Sequence, residues 1–153
     1  MKNFNLRVYG LIINENQEIL LSDEYRFGHF FTKFPGGGVE KGEGIIDALH
    51  REFQEELSLE ILDATPFYFN DFYQESAFQK EDQIVSFYYL VQCDTSKIKV
   101  ETYVIPFQEE TEKQRWISIA DLSLNNLTFP IDKIVVDRIK TFIHEKKDTK
   151  KEV

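Results

Sequence analysis

Apolar, β-branched and aromatic residues cluster into runs separated by short polar stretches, and these runs predict the elements of the chain. Leu6 to Ile13 reads as a strand and Glu18 to Ser22 as its partner, with the turn at Asn14-Glu15-Asn16. A helix is expected from about Glu43 to Leu57, where Ile46, Leu49, Phe53 and Leu57 form one apolar stripe. Two β-rich stretches follow, Pro66 to Tyr73 and Ile84 to Cys93, with a polar turn at Gln79-Lys80-Glu81-Asp82 between them. Arg115 to Ile119 reads as a further strand, and Ala120-Asp121-Leu122 as a short turn or helix. Pro130 introduces a last helix, with Ile131, Ile134, Val135, Ile139 and Phe142 spaced for one face. Strands, helix, strands, helix is an α/β order, compatible with a mixed sheet covered by helices on both sides. No repeat or linker interrupts it, so residues 1–148 read as one domain. The remainder, 149–153, has mixed charge and no apolar anchor and is expected to be a disordered tail.

Composition narrows the class. The chain has 153 residues, 42% of them hydrophobic, which suits one globular domain with a real core. No apolar run is long enough to span a bilayer, and Met1 to Asn5 carries no signal-peptide apolar region. The expectation is no membrane association and, by default, a cytoplasmic location. The single cysteine, Cys93, excludes an internal disulfide and reads as a small core residue. A net charge of −9 argues against a nucleic-acid polymer as partner. It leaves small phosphorylated substrates open, because a metal ion can supply local positive charge.

The chemistry concentrates between Gly36 and Leu59. Five of the seven glycines fall between Gly36 and Gly44, and Gly36-Gly37-Gly38 allows a backbone to approach a ligand closely. Glu52, Glu55 and Glu56 then fall on one side of the helix, at about 100° per residue. Like charges at these spacings repel, and no lysine occurs between Lys41 and Lys80 to relieve them. A hard divalent cation such as Mg²⁺ would remove the conflict while bridging to a substrate phosphate. The plainer alternative is a solvated acidic face.

Gly37, Glu43, Arg51, Glu52, Phe53, Glu55, Glu56 and Leu59 stand at the spacing of the Nudix box, and the chain resembles a MutT-like Nudix hydrolase. One position departs: Ser58 stands where the box has glycine, so the helix either ends differently or carries a small strain. The resemblance implies an α/β/α sandwich and an Mg²⁺-dependent pyrophosphohydrolase, with Mn²⁺ as a substitute. It implies metal binding by the Gly37 carbonyl with Glu52, Glu55 and Glu56, and a structural pairing of Arg51 with Glu43. It further implies an extra catalytic glutamate from a later loop. Glu109, Glu110 and Glu112 are the candidates, and Glu110 is favoured.

Arg26, His29 and Lys33 precede the glycines and offer charge for substrate phosphates. Phe67, Phe69, Phe72 and Tyr73 offer either a base-stacking surface or core or dimer contacts, which leaves a homodimer open. The expected reaction is cleavage of a diphosphate linked to another moiety, typically a nucleoside, with a glutamate taking the proton from water. Two alternatives stand beside it. A Nudix-fold sensor would bind such a metabolite without cleaving it, but the box glutamates are complete. A diphosphate isomerase would have only Cys93 as a thiol.

Overall fold

The computed structural model describes residues 3–151. Its strands are β1 (Phe4–Leu11), β2 (Glu18–Arg26), β3 (His29–Lys33), β4 (Gly36–Gly38), β5 (Asp63–Phe69), β6 (Gln83–Gln92) and β7 (Glu112–Ser118). Its α-helices are α1 (Ile45–Leu57) and α2 (Pro130–Lys151). One sheet has the order β4-β1-β6-β5 and the other β3-β2-β7. The first is mixed: β1 runs parallel to β6 and antiparallel to β4. The sheets meet where β1 gives way to β2, through a bridge between Ile13 and Ile19.

Strand pleating divides the core into two layers. Val8, Ile12 and Leu20 pack with Ala48, Leu49 and Phe53 of α1. Tyr9, Leu11, Ile19 and Leu21 point the other way and pack with Ile131, Val135, Val136 and Ile139 of α2. The result is an α/β/α sandwich with α1 and α2 on opposite faces. Gly10 is what brings α1 close. A Cβ there would lie 2.3 Å from the ring of Phe53.

Several elements differ from expectation for local reasons. The strands β3 and β4 are additional to the predicted set: the five residues of β3 include His29, Thr32 and Lys33 and do not read as an apolar run, and Gly36–Gly38, which reads as a turn, pairs antiparallel with β1. The α1 stripe uses Ile45 rather than Ile46, which is 36% exposed. The helix starts later than Glu43, since the Gly44 amide donates to the Asp47 carboxylate at 2.9 Å and caps it. The expected tail is helical at 149–151, sustained by ordinary helix formers and by a 3.3 Å contact of His144 with Asp148. Residues 152–153 lie outside the described residues. Among the described residues, no helix is long and apolar enough to cross a membrane.

Ser58 ends α1 in the left-handed conformation, at φ 49° and ψ 44°. The helix therefore ends as a glycine would end it, with a serine carrying the strain. Ser58→Gly is expected to stabilise the fold by about 1 kcal/mol, a rise of roughly 2–4 °C in Tm. Turnover should not change. Thermal melting with a parallel rate measurement checks this, and an unchanged or lower Tm would remove the strain.

Asp23 of β2 is wholly buried and ties a long connection to the sheet. It accepts hydrogen bonds from Thr32 Oγ1, from Tyr103 OH at 2.7 Å and from Arg115 Nε at 2.7 Å. The segment between β6 and β7 is thereby held down just before the acidic residues 109–112.

Candidate active site

The glycine turn and α1 interlock at the backbone. Gly37 is buried, and a Cβ on it would meet the Glu52 carboxylate at 2.7 Å. Arg51 is the hub. Its Nη2 and Nε donate to the two oxygens of Glu43 at 2.7 and 3.0 Å, and Nη2 also donates to the Gly38 carbonyl at 2.9 Å. Its Nη1 reaches Glu52 at 3.1 Å and Glu55 at 3.3 Å. The bidentate hydrogen bonding from Arg51 holds the Glu43 carboxyl down at about 2. Arg51→Ala removes the tie between loop and helix and leaves three carboxylates without their shared cation. We expect Tm to fall by roughly 5 °C or more and turnover to fall with it. Melting of the variant decides, and a wild-type Tm would make Arg51 a plain surface charge.

The glutamate face divides. Glu55 is exposed and turned to Arg51, whereas Glu52 and Glu56 are half-buried. Burial pushes the Glu56 carboxyl up to about 9, the neighbouring Glu112 and Glu52 push the same way, and Lys33 opposes them. Of the later acidic residues, Glu110 lies exposed in a bend before β7. Glu112 is the one that reaches the site. Its carboxylate accepts from Ser22 Oγ and lies 3.5 Å from Lys33 Nζ.

Lys33 is not a surface charge. It is 3% exposed, and its Nζ donates to the Gly36 carbonyl at 3.0 Å. Burial alone would lower its pKa, but Glu112, Glu56 and their neighbours outweigh burial and raise it. Arg26 is largely exposed, 4.0 Å from Glu24 and over the ring of Phe27. His29 is exposed beside Phe78.

Lys33 and Glu24 also line a cavity of about 570 Å³ that reaches the first residues of α2. Its aromatic wall comes from Phe31, Phe78 and Phe129, with ring centroids 5.3 to 5.8 Å apart. Asp132, 2% exposed, stands among the lining residues. Its Oδ1 accepts from Tyr88 OH, and its Oδ2 is buried with no hydrogen-bond partner among the described residues. Burial pushes the Asp132 carboxyl up to about 6, against the Tyr88 hydrogen bond and the charges of Lys33 and Arg7. Arg7 also lines the cavity and donates to Tyr9 OH at 2.6 Å. A buried acceptor without a donor is rare in native proteins and marks a place for a ligand group or water.

The aromatics singled out from the sequence lie elsewhere. Phe67 packs edge-on against Phe142, Phe69 stacks on Phe87, and Phe72 and Tyr73 are exposed. Sequence reasoning passed over Arg7 and Asp132 and ranked Glu112 below Glu110. Two signals were present. Asp132 is in phase with Val135, Val136 and Ile139, so it belongs to the buried stripe of α2. Glu112 shares strand parity with Gln114 and Trp116, whereas Glu110 lies before the strand.

The residues present suit a hard divalent cation. Glu52 and Glu56 crowd together beside a backbone glycine, and the Glu56 carboxyl is driven toward its neutral form where no cation balances it. Among the described residues, no three His, Cys, Asp or Glu side chains are already gathered into a cage. Such a set would supply part of a coordination sphere and leave the rest to water and substrate oxygens.

The NUDIX domain model matches residues 3–138. The 8-oxo-dGTP diphosphatase of Escherichia coli is 28% identical over 92% of this chain and 98% of its own length. The nucleoside triphosphatase NudI of an Escherichia coli strain is 32% identical over 57% of this chain and 61% of its own. Among solved structures, one from a study of MutT from Aliivibrio salmonicida and Vibrio cholerae superposes with a TM-score of 0.62. It shares 26% identity and covers 90% of this chain and 98% of that one. A MutT protein from Methanosarcina mazei shares the fold, with a TM-score of 0.65 at 23% identity over 95% of this chain and 97% of its own. The glycine turn, the Arg51–Glu43 clasp and the paired glutamates lie inside the matched region, and the chain belongs to the NUDIX family, as one of its pyrophosphohydrolases.

Proposed function

We propose that the chain cleaves the diphosphate linkage of a nucleoside triphosphate or a related nucleoside diphosphate derivative, with Mg²⁺ as cofactor and Mn²⁺ as a substitute. The observation that carries this reading is the junction of two sites. The carboxylates of α1 and β7 and the aromatic cavity share Lys33 and Glu24, so one ligand can lay a base in the cavity and phosphates along the glutamates. Phe31, Phe78 and Phe129 offer the cavity wall to a flat ring. Asp132 Oδ2 offers that ring one buried hydrogen-bonding position.

The Gly37 carbonyl, Glu52 and Glu56 would hold the cation, with Glu55 as a more distant partner turned toward Arg51. When bound, the cation neutralises the diphosphate and acidifies a water molecule. Arg51 keeps the glycine turn against α1, so phosphate meets a preformed backbone. Glu112, oriented by Ser22 and Lys33, is placed to take a proton as water attacks one phosphorus in line. The products are a phosphate monoester and a second phosphorylated fragment.

The test is a panel with Mg²⁺: 8-oxo-dGTP, which the full-length relative's name puts first, ordinary nucleoside triphosphates, ADP-ribose, nucleotide sugars and dinucleoside polyphosphates. Multiple-turnover cleavage of a member supports an enzyme of this class. Tight binding with no cleavage across the panel would support a sensor instead.

A further inference from the structure

A lysine in the middle of a carboxylate site needs a reason. Lys33 ends β3, two residues before Pro35 and the glycine turn. Its ammonium group is buried with the Gly36 carbonyl at 3.0 Å and Glu112 Oε1 at 3.5 Å. Glu56 and Glu24 also act on it electrostatically, and Glu24 pairs in register with Glu112 across β2 and β7. The neighbours in direct reach, a backbone carbonyl and a carboxylate oxygen, are the donor types a hard divalent cation takes. A compact ammonium with three donors can satisfy the same oxygens as a single positive charge. Glu112 is already engaged by two donors, Ser22 and Lys33, and has less to offer a metal ion.

We propose that Lys33 is a resident cation of the site, standing where Glu56 and Glu112 would otherwise share a divalent ion. It lowers by one the number of metal ions the protein takes up. It confines metal to the side of the site formed by Gly37, Glu52 and Glu56. Lys33 is thus a positioning residue: it fixes Glu112 and sets the metal count. The inference rests on the metal-dependent reading above, but its test reads metal uptake rather than turnover.

The experiment counts Mn²⁺ bound per chain by electron paramagnetic resonance, without substrate, and records melting with and without Mn²⁺. Lys33→Met removes the charge and keeps much of the volume. The variant should bind one more Mn²⁺ than the wild type, and Mn²⁺ should raise its Tm by more than it raises that of the wild type. The extra ion should be lost again in the double variant Lys33→Met/Glu112→Gln. Glu112→Gln alone is measured in parallel, in case Lys33→Met fails to fold. With Lys33 in place, its Mn²⁺ count and affinity should stay within about threefold of wild type. An unchanged Mn²⁺ count and affinity in folded Lys33→Met overturns the inference while leaving the metal reading intact. Tenfold weaker Mn²⁺ binding in Glu112→Gln also overturns it, because Glu112 would then be a metal ligand. A wild type that binds no Mn²⁺ at all overturns both.

Discussion

Chelation with EDTA should abolish turnover, by at least about a thousandfold, and excess Mg²⁺ should restore it. A smaller loss in the same direction should follow from a single change on α1. Glu56→Gln keeps the shape of the side chain and the helix propensity but removes a half-buried carboxylate of the proposed metal site, and turnover should fall by at least about a hundredfold. Glu55→Gln should cost far less, because Glu55 is exposed and faces Arg51. Stability should move the other way. Glu56 is held near 9 by burial and by Glu112 and Glu52, so its ionised form is a burden on the metal-free fold. Glu56→Gln should therefore melt higher than the wild type without metal at pH 8, and should lose most of the stabilisation that Mg²⁺ confers. Melting with and without Mg²⁺, alongside initial rates, tests all of this. Full turnover in a chelated preparation would end the metal-dependent assignment. Wild-type rates in Glu56→Gln would make Glu56 a bystander.

Asp132→Leu should raise KM at least tenfold for the best substrate and change kcat by no more than about threefold, because Asp132 lines the cavity and is not one of the carboxylates proposed to hold metal or take the proton. The same variant should be as stable as the wild type or more so, since it removes a buried carboxyl with one oxygen unpaired. A mainly structural residue would give the opposite pair of results. The wild type should show a matching pH dependence. The Asp132 carboxyl ordinarily titrates near 3.8 and in the fold is pushed up to about 6. Between these values the folded protein keeps a proton that the unfolded chain has released. This group's contribution to stability therefore declines as pH rises from about 4 to about 6, then levels off. Substrate capture should follow the ionised form when the base presents an N–H to Oδ2, so KM should fall as pH rises through about 6. Asp132→Leu should flatten that profile. A KM profile for the wild type that is flat across pH 5 to 7 would remove Asp132 from recognition.

Residues whose roles depend on local spacing were legible in the sequence. The interval from Gly37 to Leu59 places a turn, a clasp and a charged helix face within 23 consecutive positions, and helical geometry arranges them. The cavity was not legible. Its aromatic wall joins Phe31, Phe78 and Phe129, which come from β3, the loop before β6 and the residue just before α2. Only tertiary packing brings such distant residues to one place. The burial of Lys33 was not legible for a related reason. A charged residue is usually solvated, and the partner that Lys33 meets inside the fold, Glu112, lies 79 positions later. Glu110 and Glu112 are separated by the onset of β7, and strand boundaries are the least readable feature of any sequence.

The two halves of the site are contiguous and meet at Lys33 and Glu24. α1 is locked against β1 by Phe53 over Gly10, whereas the cavity is walled partly by the connection between β5 and β6 and by the first residues of α2. If the cavity reads the base and the α1 glutamates serve the phosphates, as proposed, the two tasks fall to separate stretches of chain, residues 74–82 with the entrance to α2 for the first and α1 for the second. A new substrate would then call for rewriting a few segments around the cavity, with Lys33 and Glu24 as the shared positions at which such rewriting stops.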